Sequence, residues 1–293
     1  MTPDDVREAL ARYDYVSDEG LATAIFLALE LQRPLLLEGE AGVGKTEVGK
    51  VLARWREAEL IRLQCYEGID VSQAVYEWDY SRQLLHLRAA EVTHERVVED
   101  ELYSEAFLVR RPLLRAIAHG DGTPPVLLVD EVDRADDEFE AFLLEILSDY
   151  AVTIPELGTF RADIPPAVVM TSNRTRDLHD ALKRRCIYHW IDYPDFEREL
   201  EIVRVRAPGV ATSLAGQVAA AVEELRSLEL YKPPGVAETI DWAEALTRLG
   251  VAELDERAVE ATLGTVLKYR EDQQRVREHG MNQIVLAAVE RSA

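Results

Sequence analysis

Two groups of residues have types and spacings that can do chemistry. The first is Gly39-Glu40-Ala41-Gly42-Val43-Gly44-Lys45-Thr46. Its three glycines accept backbone angles that a Cβ would forbid, so successive N–H groups can curl around phosphate oxygens. Lys45 would place a charge on the outer phosphates, Thr46 would offer its hydroxyl to a magnesium ion, and the cradle runs on to Glu47. The second is Val126-Leu127-Leu128-Val129-Asp130-Glu131. Asp130 can hold magnesium through water, and Glu131 can polarise an attacking water. Taken singly, the first is also a glycine turn between core elements and the second an acidic turn after a strand. Together they point to chemistry on a phosphate chain.

The elements around both groups suit that reading. Leu35-Leu36-Leu37 before the glycines is a short buried strand, and Val48, Val51, Leu52 and Trp55 after them recur at helical spacing. Strand, glycine loop and helix is the required order, because a helix N-terminus also favours anions. Four apolar residues before Asp130 make a strand buried on both faces, as in a parallel sheet. Its carboxylates then lie where open α/β sheets bind ligands.

Along the rest of the chain, residues 4–13 read as a helix, Ser17-Asp18 caps a second, and Pro34 ends it. Residues 60–65 read as a strand. Residues 67–96 are mixed: Val71, Val75 and Trp78 look helical, while Tyr80, Leu84, Leu85 and Leu87 look partly strand-like, as in an interrupted helix carrying a hairpin. A helix is expected over 107–118, a loop over 120–125, a helix over 138–150 and a hairpin over 152–161. Further strands are read at 167–170 and 187–191. About five strands separated by helices predict a doubly wound parallel α/β sheet. Beyond Pro194-Asp195 the text is almost wholly helical, so the expected domains are an α/β domain over 1–194 and a small all-helical domain over 195–293.

Composition narrows the class. The chain has 293 residues, 47% hydrophobic and 30% charged, which is globular. Its 33 basic and 55 acidic residues give a formal charge of −22, which argues against a broad nucleic-acid surface or attraction to anionic lipid. Two cysteines, Cys65 and Cys186, make no disulfide framework. The N-terminus lacks the pattern of a signal peptide, and no apolar run is long enough to span a bilayer. The expectation is a cytoplasmic protein without membrane insertion. No G-x-S-x-G, H-E-x-x-H or C-x-x-C occurs, and His86, His94, His179 and His189 show no metal spacing. Tyr76, Trp78 and Tyr80 suit either a pore or partner contact or ordinary packing on the sheet.

The glycine loop and the strand end Val129-Asp130-Glu131 occur with a second strand end at Thr171-Ser172-Asn173. An arginine pair precedes the last strand, and helices close the chain. As a set this resembles the P-loop AAA+ ATPases. Asp130-Glu131-Val132-Asp133-Arg134-Ala135, close to D-E-x-N-R-A, is similar to the MoxR branch, as are an insert over about 67–100 and the hairpin over about 152–161. Leu63-Gln64-Cys65-Tyr66-Glu67-Gly68, Tyr76-Glu77-Trp78-Asp79-Tyr80, Lys183-Arg184-Arg185-Cys186 and Tyr231-Lys232-Pro233-Pro234-Gly235 look most like the CoxD branch. The resemblance implies a homo-oligomeric ring, a hexamer, hydrolysing ATP with Mg2+ between subunits, with a helical lid over 195–293. Thr46 and Asp130 would hold the metal. Asn173 matches the family's first sensor, which orients the attacking water. Arg185, with Arg184 as second choice, matches the finger that reaches into the neighbour's site, a contribution of about 10³ to 10⁵ in rate where it operates. It further implies a chaperone that remodels a metalloenzyme client of the molybdenum hydroxylase or carbon monoxide dehydrogenase type, with a von Willebrand factor A protein as partner; the acidic charge, in turn, predicts no nucleic-acid partner.

One departure stands out. The family's second sensor is usually an arginine at the start of a lid helix, but here the stretch reads Gly235-Val236-Ala237-Glu238-Thr239-Ile240, with Lys232 the nearest cation. A nucleotide-gated binding module with little turnover is therefore a competing expectation. A small-molecule kinase and a nucleic-acid motor are two more.

Overall fold

The computed structural model describes residues 1–94, 98–120 and 122–292. Residues 95–97 of the expected insert, Asp121 of the expected loop and Ala293 of the helical region lie outside the described residues. The chain opens with α1 (Pro3–Arg12), α2 (Glu19–Glu30), β1 (Leu35–Gly39), α3 (Lys45–Trp55) and β2 (Leu60–Gln64). Then come α4 (Val71–Ala74), β3 (Tyr76–Trp78), α5 (Tyr80–Thr93), α6 (Glu99–Leu102), β4 (Leu108–Arg110) and α7 (Pro112–Ile117). These lead into β5 (Val126–Asp130), α8 (Asp137–Asp149), β6 (Ala151–Ile154), β7 (Gly158–Arg161), β8 (Ala167–Ser172), α9 (Asp180–Arg185) and β9 (Ile187–Ile191). The remainder is helical: α10 (Phe196–Arg206), α11 (Thr212–Ser227), α12 (Val236–Arg248), α13 (Glu256–Val266), α14 (Arg270–His279) and α15 (Met281–Ser292).

The strands that were continuously apolar in sequence are the buried ones. Every residue of β1 and β5 is buried, and so is β8 after its first residue. A strand covered on both faces has no polar side to show, which is why the alternation of an antiparallel sheet is missing. The main sheet has five strands in the order β2-β5-β8-β1-β9, with β2–β5, β5–β8 and β8–β1 parallel. This is the parallel α/β sheet that the strand count predicted, followed by a helical C-terminal region. Register pairs Glu38 with Ser172 and Gln64 with Asp130, so the C-terminal ends of these strands gather along one edge. Open α/β sheets bind ligands at that edge.

Two compact units make up the chain. One holds Met1–Val6, Glu19–Glu38 and Thr46–His189, and the other Arg7–Asp18, Gly39–Lys45 and Trp190–Ala293. In the first, Leu36, Leu63, Leu127, Val129 and Met170 of the sheet pack with Leu113 and Leu114 of α7 and Phe139 and Leu143 of α8. Each such side chain contributes roughly 1.5–3 kcal/mol on burial. In the second, Trp242 is fully buried with Val218, Val222, Leu246 and Leu263, and its indole N–H donates to Thr262 Oγ1 at 2.7 Å.

Two expectations fail between residues 67 and 118. Tyr80–Thr93 is one helix, not part strand: Asp79 caps it by accepting from the Arg82 N–H at 3.0 Å. Its apolar spacing misled because Leu84, Leu85, Leu87 and Val92 are all exposed, while Gln83 and Ala90 face inward. The stretch 107–118 is not one helix either. Leu108–Arg110 pairs antiparallel with Tyr76–Trp78, which also takes Trp78 out of the expected helix, and α7 starts only at Pro112. Proline lacks an N–H and fits the first helical turn, while Arg111 before it is held extended. The segments Ala151–Ile154 and Gly158–Arg161 pair antiparallel. Among the described residues no helix is long and apolar enough to cross a membrane.

Candidate functional site

The glycine loop takes the backbone its composition requires. Gly42 and Gly44 have φ of +83° and +96°, a region that a side chain disfavours. A Cβ on Gly39 would lie 2.3 Å from the Ile191 carbonyl oxygen, so only glycine fits that crossing. Lys45 is 5% exposed, and its Nζ donates to the carbonyls of Gly39 and Glu40 at 2.8 and 2.6 Å. The ammonium is thus folded onto the loop it belongs to. Glu40 and Gly42 are exposed, Ala41 and Gly44 half-buried, and Val43 buried. Glu47 points along the following helix, paired with Lys50 at 3.0 Å and Arg54 at 2.9 Å.

The strand-end carboxylates form a connected set in the other unit. Thr46 Oγ1 donates to Asp130 Oδ1 at 2.9 Å, and Thr171 Oγ1 donates to the same oxygen at 2.6 Å. Thr171 Oγ1 in turn accepts the Glu131 N–H at 2.9 Å. Glu131 itself has φ +55°, a sharp turn that directs the chain off the strand, and its carboxylate pairs with Arg134 at 3.1 Å. A hydroxyl and a carboxylate at this distance are hard oxygen donors of the kind that suit magnesium.

Asn173 follows the end of β8. It lines one open groove with Glu131, Asp133, Arg134, Asp136, Asp137 and Thr175. Asp133, 2% exposed, holds this segment: it accepts from the Asn173 N–H at 3.3 Å, the Thr175 N–H at 2.8 Å and the Thr175 hydroxyl at 2.7 Å. The concentration of charge is felt by Cys65, which follows β2. Burial, with the negative charges of Asp130, Asp133 and Glu131, pushes its thiol up to about 12.

Arg184 and Arg185 are not brought to this set. They end α9, exposed, and neither guanidinium has a partner among the described residues. Their backbone is fixed instead: Arg33 Nε donates to the Arg185 carbonyl at 2.9 Å, and Arg33 also bonds the Arg184 carbonyl. The helix end is anchored while its two cations are left free.

Sequence reasoning missed several residues. Thr171 and Asp133 lay inside the quoted motifs but were given no role. Glu38, 2% exposed, accepts from Ser172 Oγ at 3.4 Å and from the Tyr188 hydroxyl at 3.1 Å, linking the ends of three strands. A carboxylate inside an apolar strand run was the available signal. Arg62 bonds Asp130, and only its alternation with buried Ile61 and Leu63 hinted at its direction.

Residues 34–186 match the family model described as AAA domain (dynein-related subfamily). The gas vesicle ATPase GvpN of Haloferax mediterranei is 26% identical over 228 residues, covering 75% of this chain and 63% of that protein. GvpN1 of Halobacterium salinarum is 24% identical over 211 residues, covering 68% of this chain and 58% of that one. The chain thus spans less than two thirds of the length of these curated relatives. Among solved structures, a putative ATPase from Cytophaga hutchinsonii aligns with a TM-score of 0.46 at 16% identity, covering 99% of this chain and 94% of that one. The Thermotoga maritima RuvB Holliday junction branch migration motor aligns with a TM-score of 0.47 at 15% identity, covering 93% and 72%.

Proposed function

The chain belongs to the AAA domain family, dynein-related subfamily, and from that premise we propose that it hydrolyses ATP with Mg2+ in a ring of identical subunits. The observation that carries the reading is the bond from the Thr46 hydroxyl to the Asp130 carboxylate. It places the Thr46 hydroxyl, in the first turn of α3, against the strand-end acid Asp130. In this reading the loop N–H groups of residues 39–46 and the Lys45 ammonium hold the phosphates. Thr46 and Asp130 hold the metal, which when bound would neutralise charge on the phosphate oxygens. Glu131 polarises the attacking water, Asn173 orients it, and Arg185 or Arg184 comes from a neighbouring copy.

The ring is supported by complementary surfaces. Among the described residues the two guanidiniums that end α9 have no partner, and the groove beside Glu131 and Asn173 is lined by more acids (Glu67, Asp133, Asp136, Asp137 and Glu138) than bases (Arg134 and Arg176). An arginine from another copy would meet opposite charge there. Within the family we assign the chain to the MoxR branch, nearest CoxD, on the motifs quoted above. The corresponding role is a chaperone for a metalloenzyme client beside a von Willebrand factor A partner. The relatives named gas vesicle ATPases make a gas vesicle client the rival. Co-purification of a von Willebrand factor A protein and a molybdenum hydroxylase subunit supports the first. Recovery of a gas vesicle component in their place rejects it.

A second reading, a nucleotide-gated module with little turnover, draws on the first turn of α12, which offers Glu238 and no arginine. Fluorescent-nucleotide titration and steady-state phosphate release decide. Binding lost in Lys45→Ala, and release by the wild type well above Glu131→Gln, are the results expected of the ATPase. Binding with equal background release from both chains leaves the module. Unchanged affinity in Lys45→Ala removes both.

A further inference from the structure

The carboxylate assigned to the metal is already occupied by a cation. Asp130 is 2% exposed, and both of its oxygens are engaged. Oδ1 accepts the hydroxyls of Thr46 and Thr171, and Oδ2 accepts Arg62 Nε at 3.0 Å and Arg62 Nη2 at 2.5 Å. The arginine is itself steered, because its Nη2 also donates to Gln64 Oε1. Arg62 and Gln64 lie two residues apart on β2, hence on one face of the strand, and β2 pairs with β5 so that Gln64 sits opposite Asp130. Ile61 and Leu63 occupy the other face, in the core. The Arg62 side chain is half exposed, so it can leave without opening the core.

A buried carboxylate without a counter-charge is costly, and here the guanidinium supplies one. A divalent ion held by Thr46 and Asp130 would bring a second positive charge to the same group, and the two cations would repel across a few ångströms of low-dielectric protein. Both cannot be held at full strength. We propose that Arg62 is an internal counter-ion of the metal site: it neutralises Asp130 while no metal is bound and is displaced when the metal–nucleotide complex enters. Arg62 thereby sets the metal concentration at which the site loads. Gln64, through its bond to Nη2, holds the arginine in the competing position. This inference rests on the nucleotide-site reading above.

The distinguishing feature is the sign. An arginine whose pair with Asp130 is purely structural leaves metal affinity unchanged or weaker when removed. A competing arginine leaves it tighter. The test is a Mn2+ titration followed by electron paramagnetic resonance of the free ion, at fixed ADP. It compares wild type, Arg62→Met and Arg62→Lys, with thermal midpoints to verify folding and ADP affinity in EDTA measured alongside. Arg62→Met keeps the stem and removes the charge, and should lower the half-saturating Mn2+ by about tenfold, the order set by one charge-assisted hydrogen-bonded pair. Arg62→Lys should stay within about threefold of the wild type, since the charge remains. ADP affinity in EDTA should be nearly equal in all three. A half-saturating Mn2+ for Arg62→Met that is unchanged or higher overturns the inference while leaving the nucleotide site intact. Absence of ADP binding by the folded wild type, with or without Mn2+, overturns both.

Discussion

The backbone N–H of Val236 donates to the carbonyl of Gly42 at 2.9 Å. The first turn of α12 thus meets the glycine loop backbone to backbone. A Cβ on Gly235 would stand 2.8 Å from Gly42 Cα and 3.0 Å from the Ala41 carbonyl oxygen, so the approach is possible only because both residues are glycine. The contact is braced from behind. Arg226 donates to the Pro234 carbonyl at 2.8 Å, makes two bonds to the buried Glu199 carboxylate and lies over the Tyr193 ring at 4.5 Å. The arginine expected of this stretch is absent, and close packing stands in its place.

Gly235→Ala should therefore affect the loop more than the helix. The added methyl must push Gly42 or Ala41 aside, a strain of about 1–3 kcal/mol. We expect a lower thermal midpoint and ADP binding weakened by about tenfold or more. Ala237→Gly, on the exposed face of the same turn, should lower the midpoint slightly through helix propensity and leave ADP binding unchanged. Equal nucleotide affinity in Gly235→Ala and wild type would show that the contact does not constrain the loop.

Asp133 should separate positioning from binding. Its carboxylate holds the segment carrying Asn173 through the Asn173 and Thr175 N–H groups. Asp133→Ala leaves those groups unpaired, at a cost of about 1–3 kcal/mol for buried polar groups. Phosphate release should fall while nucleotide affinity holds, because no atom of Asp133 is assigned to the phosphates. Retained turnover with lowered stability would reduce the residue to a structural brace.

The two thiols provide a pH signature. Burial pushes Cys65 and Cys186 from an ordinary value of 9.0 up to about 12, with nearby acids adding to the effect at Cys65 and Arg33 opposing it at Cys186. In the unfolded chain both ionise near the ordinary value. The folded form therefore keeps protons that the unfolded form loses. The associated stability is present below about pH 9 and declines as pH rises toward 12. At pH 8 neither thiol should react with a maleimide until denaturant is added, and thermal midpoints should drop between pH 8 and 10. Rapid labelling of the native chain would contradict the buried placement.

The α/β core was readable because its signals are local. Leu35-Leu36-Leu37 and Val126-Leu127-Leu128-Val129 are apolar without alternation, and in a mixed chain only a doubly covered strand requires that. The stretch from 67 to 118 was not readable for the opposite reason. Leu84, Leu85 and Leu87 are apolar yet exposed, so their spacing carries no record of a buried face. Leu108–Arg110 is held as strand by Tyr76–Trp78, a partner more than two dozen residues away that no window contains. Within the candidate site, the pairing of Thr46 with Asp130 was foreshadowed by residue type. The pairing of Arg62 with Asp130 and the clamp at Asp133 were not, because each depends on which strand lies alongside which.

In the proposed ring, two copies of the chain share one reaction. The direct test mixes Arg185→Ala with Glu131→Gln, each inactive alone in steady-state phosphate release. In mixed rings some interfaces pair an intact Glu131 on one chain with an intact Arg185 on the next, so activity should return and peak at an intermediate ratio. No recovery at any ratio, with both variants folded and binding nucleotide, would contradict the shared site.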